Sequence, residues 1–182
     1  MTMAEALGFV ETHTPQHVLA VRLAFAALFG AIIGFEREGN NYGSAGLRTH
    51  ILISTAACLF TLLAFEIYAV SLQDGNNNTD PIRAVEATTA GIAFLGAGAI
   101  FQARGSVRGL TTGAGMWLAG AVGVATALGY YLIAFGVALF AVLVLSALKA
   151  VAHRMIGKDD DAAPPVGRRK QPGRETGSDA PT

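Results

Sequence analysis

The side chains of this 182-residue chain whose types could do chemistry fall mainly in two short polar runs. One is Gly34-Phe-Glu-Arg-Glu38 continuing to Ala45-Gly-Leu-Arg-Thr-His50, and the other is Val107-Arg-Gly-Leu-Thr-Thr112. Together they supply Glu36, Arg37, Glu38, Arg48, Thr49, His50, Arg108, Thr111 and Thr112. The chemistry open to such a set is catalysis through His50, Glu36 or Glu38, or contact with a ligand or partner. A second polar group, Arg22, Glu66, Arg83 and Glu86, lies elsewhere in the chain.

Catalysis finds little support. His50 stands beside Arg48, not beside a nucleophile, and four histidines and one cysteine give no readable Ser-His-acid or Cys-His arrangement. No phosphate-binding loop of the G-x-x-x-x-G-K-[ST] or G-x-G-x-x-G type occurs. The residues therefore predict a protein that is not an enzyme, with no cofactor. Thr49, Thr111 and Thr112 fall where helices begin, so they are expected to cap unpaired backbone N–H groups.

The second polar group admits two readings. Two positive and two negative side chains at one depth should neutralise one another, because an unpaired charge in a membrane interior is costly. Alternatively Glu66 and Glu86 could form a site for a hard cation, which prefers carboxylate oxygen and water. His13 and His17 share a helical face at i, i+4, but two histidines without a third ligand make a poor metal site, so no metal is assigned.

The elements that position these residues follow from composition. The chain is 52% hydrophobic and 14% charged, with a mean hydropathy of +0.46, too apolar for a soluble domain of this length. A spanning helix needs about 20 mostly apolar residues. Residues 18 to 35, 51 to 70, 84 to 101, 109 to 128 and 130 to 151 each approach that. The fold class expected is all-α, an integral membrane protein with about five transmembrane helices surrounded by lipid bilayer.

Charge sets the expected orientation. With the N-terminus outside, Arg37, Arg48, Arg104, Arg108, Lys149, Arg154 and the basic residues beyond fall inside, while Arg83 alone lies in an outer loop. This distribution favours N-out, C-in. A net charge of zero offers no field for nucleic acid. The two polar runs then share the inner face, and Arg22, Glu66, Arg83 and Glu86 project near the outer ends.

Residues 1 to 16 read as a short outer segment, 17 to 156 as the transmembrane domain, and 157 to 182 as a disordered cytosolic tail too polar to offset ordering entropy. Asp80-Pro81 reads as a helix start and Gly129, flanked by Tyr130 and Tyr131, as a tight turn. Cys58 is expected to be a packed bystander. Among the 22 glycines, Gly34, Gly91, Gly96, Gly98 and Gly109 are assigned to close helix packing, since small residues let backbones approach in lipid. The same pattern leaves a homo-oligomer open. The third span has a strongly apolar part of fifteen residues, Ala87 to Phe101, interrupted by Gly91, Gly96 and Gly98; it is either a thin continuous helix or one broken to expose carbonyls.

At these residues the chain resembles a known family. Gly34-Phe-Glu-Arg-Glu38, Ala45-Gly-Leu-Arg-Thr-His50, Asp80-Pro-Ile-Arg83, Gly91-Ile-Ala-Phe-Leu-Gly-Ala-Gly98 and Val107-Arg-Gly-Leu-Thr-Thr112 with Trp117 are similar, in order and spacing, to the signature blocks of the MgtC/SapB family. The resemblance implies a bacterial cytoplasmic (inner) membrane protein of about five helices, N-terminus outside. It further implies a link to growth at low magnesium, to stress adaptation and to survival of pathogens inside macrophages. Family members were first suspected of transporting Mg²⁺ and are now viewed as regulators of other membrane proteins, the proton-driven ATP synthase among them. Ala93, Ala87, Glu86 and Gly113 depart from the usual residues, and the chain resembles a short form without the soluble C-terminal domain.

Overall fold

A computed structural model describes residues 12–38, 45–75, 79–103 and 106–156. The segments 1–11 and 157–182, read above as an outer segment and a disordered tail, lie outside the described residues. Five helices and one hairpin follow in order: α1 (Gln16–Glu38), α2 (Leu47–Gln73), α3 (Pro81–Gly98), β1 (Phe101–Ala103), β2 (Ser106–Arg108), α4 (Leu110–Ala127) and α5 (Tyr131–Ile156). Two compact units divide the chain at residue 148; the second is described only over its helical residues 149–156.

The protein is all-α in its bulk, and α1, α2 and α4 are each long and apolar enough to cross a membrane. Within α5, Tyr131–Ala147 is a shorter apolar stretch. The α3 helix is continuous through Gly91 and Gly96 over 18 residues, about 27 Å of rise, but it stops at Gly98, and Phe101, the expected end of the span, belongs to β1. Its start is as expected: Asp80 caps it by accepting from the Ile82 N–H at 2.9 Å, with Pro81 in the first turn.

Chain alternation places the C-terminal ends of α1 and α3 and the N-terminal ends of α2 and α4 together, with the other ends opposite. Gly129 adopts φ +82° in the turn joining α4 to α5, the left-handed conformation that glycine tolerates. The α5 helix lies on α1 through tilted ring pairs, Phe25–Tyr131 at 5.1 Å and Phe29–Phe135 at 5.8 Å.

Half of the core residues are alanines. Phe29, Ile33, Ile53, Ala57, Ile92, Met116, Ala119 and Val122 form one cluster with Ala134, Ala138 and Ala141 of α5, and Ala26, Cys58, Leu62 and Ala127 form a second. Cys58 is fully buried there. Many large apolar side chains point outward: Leu132 is 84% exposed, Phe94 79%, Phe35 76% and Leu52 69%. That inversion suits a molecule whose solvent is hydrocarbon.

Candidate functional site

The two polar runs are largely helical over their described residues. Glu36, Arg37 and Glu38 form the last turn of α1, Arg48, Thr49 and His50 the first turn of α2, Arg108 ends β2, and Thr111 and Thr112 begin α4. All stand at one end of the bundle. Helix backbone continues past the apolar segment on both sides because the polar residues there find partners across elements.

Those partners are specific. Arg37 Nη2 donates to Thr112 Oγ1 at 2.6 Å, tying α1 to α4. Glu38 Oε2 accepts from the Leu47 N–H at 2.8 Å, tying α1 to α2. The expectation that threonines cap these helices is therefore corrected. The N-cap positions are Gly46 and Gly109, neither supported by a side-chain cap; a carboxylate from the preceding helix serves α2, and Thr112 spends its hydroxyl oxygen on Arg37. Gly109 has φ +89°, and a Cβ there would run into the Ala99 carbonyl, so this position demands glycine on two counts.

His50 is the centre of the arrangement and is fully buried. Its Nδ1 lies 2.8 Å from the Gly46 carbonyl oxygen. A carbonyl only accepts, so Nδ1 carries the proton of this hydrogen bond. Among the described residues Nε2 has no hydrogen-bond partner, nor do the buried Ser54 Oγ, Thr55 Oγ1 and Arg37 Nε. A Cβ at Gly115 would lie 3.1 Å from Nε2, so the ring is held against the bare backbone of α4.

Glycines make this approach feasible on both sides of α2. On α1, a Cβ at Gly30 would sit 2.7 Å from the His50 oxygen, and one at Gly34 2.7 Å from the Leu47 Cα. On α4, a Cβ at Gly123 would collide with the Ser54 carbonyl oxygen. Gly96 and Gly113 bring α3 to α4, the Gly96 Cβ position lying 3.2 Å from the Gly113 oxygen. Gly34, Gly96 and Gly109 thus stand at close approaches within the chain, whereas nothing among the described residues lies within 4 Å of an added Cβ at Gly91 or Gly98. They share a helical face at i, i+7, turned well away from Gly96.

Ser54 and Gly115 were not singled out from the sequence, although His50, Ser54, Cys58 and Thr61 recur at helical spacing and mark one buried face of α2. Around the buried bracket, Arg48, Arg108 and Thr111 are exposed and Glu36 is half-buried. No group of three or more His, Cys, Asp and Glu able to hold a metal occurs among the described residues.

At the opposite end Arg22 and Glu66 line one pocket, while Arg83 and Glu86 are exposed on α3. The expected mutual neutralisation gives way to backbone contacts. Arg22 Nη1 donates to the Ala127 carbonyl at 2.7 Å, and Glu66 accepts from the His13 and Thr14 N–H groups at 2.7 and 3.0 Å. Among the described residues no ion pair joins these four.

The family model described as the MgtC family matches residues 23–154, which hold every element of the bracket. The chain belongs to the MgtC family. SapB of Bacillus subtilis is 34% identical over 142 residues, 78% of this chain and 60% of that protein. MgtC of Brucella abortus is 42% identical over 105 residues, 58% of this chain and 40% of that protein. YhiD of Escherichia coli, whose name carries a proposed role as a magnesium transporter, is 32% identical over 139 residues, 76% of this chain and 64% of that protein. The chain thus spans from two fifths to just under two thirds of the length of these relatives. No solved structure matches it. Membership and the apolar helices make this MgtC-family protein a multi-pass membrane protein.

Proposed function

We propose that this MgtC-family protein is a regulator in the bacterial cytoplasmic membrane, lying N-out, C-in, that acts by docking onto another membrane protein. One observation carries the reading: an apolar groove of about 780 Å³ runs between α2 and α3, floored by Ala56, Ala57, Ala84, Ala87 and Gly91. Its α2 wall extends from Leu52 to Ile67, about 22 Å of helix rise. A groove of that length with a bare backbone at Gly91 fits a transmembrane helix of a partner, because small residues allow the close backbone approach that lipid-embedded helices rely on. The exposed Arg48 and Arg108 at the bracket end would meet that partner's polar surface. The chain's resemblance to a family whose members are viewed as regulators of the proton-driven ATP synthase makes that complex the first partner to test.

The competing reading is transport of a magnesium-like cation, favoured by the name of the Escherichia coli relative and by Glu66 at the opposite end. Reconstitution separates the two. In proteoliposomes loaded with a Mg²⁺-sensitive dye a regulator is inert, while the same protein co-purifies with a membrane partner and loses it on Gly91→Leu. A Mg²⁺ flux abolished by Glu66→Gln would replace regulation with transport.

A further inference from the structure

At the end of the bundle away from the bracket, a pocket of about 540 Å³ opens between α1, α2 and the C-terminal end of α4. Arg22 forms part of its wall and Glu66 another, and both are partly buried. Arg22 lies six residues into α1 from Gln16 and Glu66 seven residues before the end of α2 at Gln73, which puts them about 9 and about 10 Å below the helix ends. Two opposite charges thus stand at one depth in one pocket without pairing. Each keeps unused capacity. Arg22 commits Nη1 to Ala127, and its Nε has no partner among the described residues. Glu66 accepts one N–H on each oxygen and the Thr14 hydroxyl as a third donor, whereas a carboxylate offers about four acceptor sites. Leu62, Phe65, Leu72 and Leu128 supply an apolar lining beside them.

A ligand that satisfies this pocket carries an anionic and a cationic group a short spacer apart, with alkyl chain attached. We propose that the pocket binds the zwitterionic headgroup of an aminophospholipid, with the phosphate on Arg22, the primary ammonium on Glu66 and the glycerol and upper acyl chain along Leu62 and Phe65. A guanidinium suits a phosphate and a carboxylate suits an ammonium through charge-assisted hydrogen bonds. Both charges sit on helices long and apolar enough to cross a membrane, so a ligand with acyl chains reaches the pocket from the lipid around those helices. This assignment is independent of the docking reading for the α2–α3 groove.

The test uses the full chain, purified in detergent and exchanged into nanodiscs or mixed lipid micelles, with bound lipid counted by native mass spectrometry. Wild type is expected to retain phosphatidylethanolamine over phosphatidylglycerol by about tenfold, the scale of one charge-assisted hydrogen bond. Glu66→Gln removes that preference while retaining both lipids, since phosphatidylglycerol lacks the ammonium. Arg22→Gln weakens retention of both. Soluble phosphoethanolamine should compete poorly; competition equal to the lipid's would assign the site to a free zwitterion and overturn the lipid. Equal retention of the two lipids by wild type overturns the proposal outright, and that measurement needs no variant to fold.

Discussion

The helices α3 and α4 have the same length and are both rich in glycine, yet they use it in opposite ways. Ten residues of α4 are buried, Gly113, Gly115, Gly120 and Gly123 among them; only Ile92 and Gly96 of α3 are. On α4 the missing side chains admit backbone and imidazole from α2, so glycine there is spent inside the molecule. On α3, Gly91 and Gly98 face open space. A glycine stripe is thus either an interior contact already made or a surface still unmatched, and which one depends on neighbours that the stripe does not name.

The sharpest way to break this contrast is to add bulk on the α4 side. Gly123→Leu would drive a side chain into the Ser54 carbonyl and the Ala57 Cβ, which is 3.0 Å from the added Cβ. Backbone cannot swing aside as a flexible side chain can, so the expected cost is about 3 kcal/mol or more. Monodisperse protein recovered after detergent extraction should fall to a small fraction of wild type. Normal recovery with an unchanged melting temperature would mean that α2 and α4 do not meet there.

A middle-sized effect comes from the polar bracket. Thr112→Val keeps the shape but removes the acceptor for Arg37 Nη2, and Arg37 Nε already lacks a partner. Leaving more of a half-buried guanidinium unsatisfied should cost about 1–3 kcal/mol. The double variant Arg37→Met/Thr112→Val should cost less than the two single changes summed, because the second change removes nothing the first had left intact. Additive melting-temperature losses would place the two residues in separate environments and reduce the bracket to packing.

Much of this architecture was legible because lipid and length impose it. The five apolar stretches became the five helices, Asp80-Pro81 started α3, and Gly129 turned the chain. Each is a local signal, carried by a few adjacent residues. What stayed hidden was non-local. That Glu38 would serve the first turn of α2, that Thr112 would serve Arg37, and that Gly109 would meet Ala99 all depend on contacts between separate elements. The Phe101–Ala103 and Ser106–Arg108 hairpin, paired with Gln102 opposite Val107, was absorbed into a helical span and a loop because three-residue strands carry too short a pattern to separate from either. The polar residues from Glu36 to His50 and from Arg108 to Thr112 stand out as a group, but only the fold divides them into a buried bracket and an exposed rim.

The smallest expected effect tests the contrast within a single helix. Gly91 and Gly96 lie five residues apart on α3, so they face different directions by more than a third of a turn. Gly96→Leu would push against the Gly113 carbonyl, where an added Cβ already lies 3.2 Å away, and should lower the melting temperature measurably. Gly91→Leu meets nothing within 4 Å. It also replaces a poor helix former with a good one, a change worth up to about 1 kcal/mol in the stabilising direction. The isolated protein should therefore be as stable as wild type or slightly more so. If both substitutions destabilise equally, the face bearing Gly91 is already covered within the molecule, and α3 joins α4 as an interior helix. If only Gly96→Leu does, the open side of α3 costs the isolated protein nothing to alter. Any loss of function in Gly91→Leu must then arise in contact with something else.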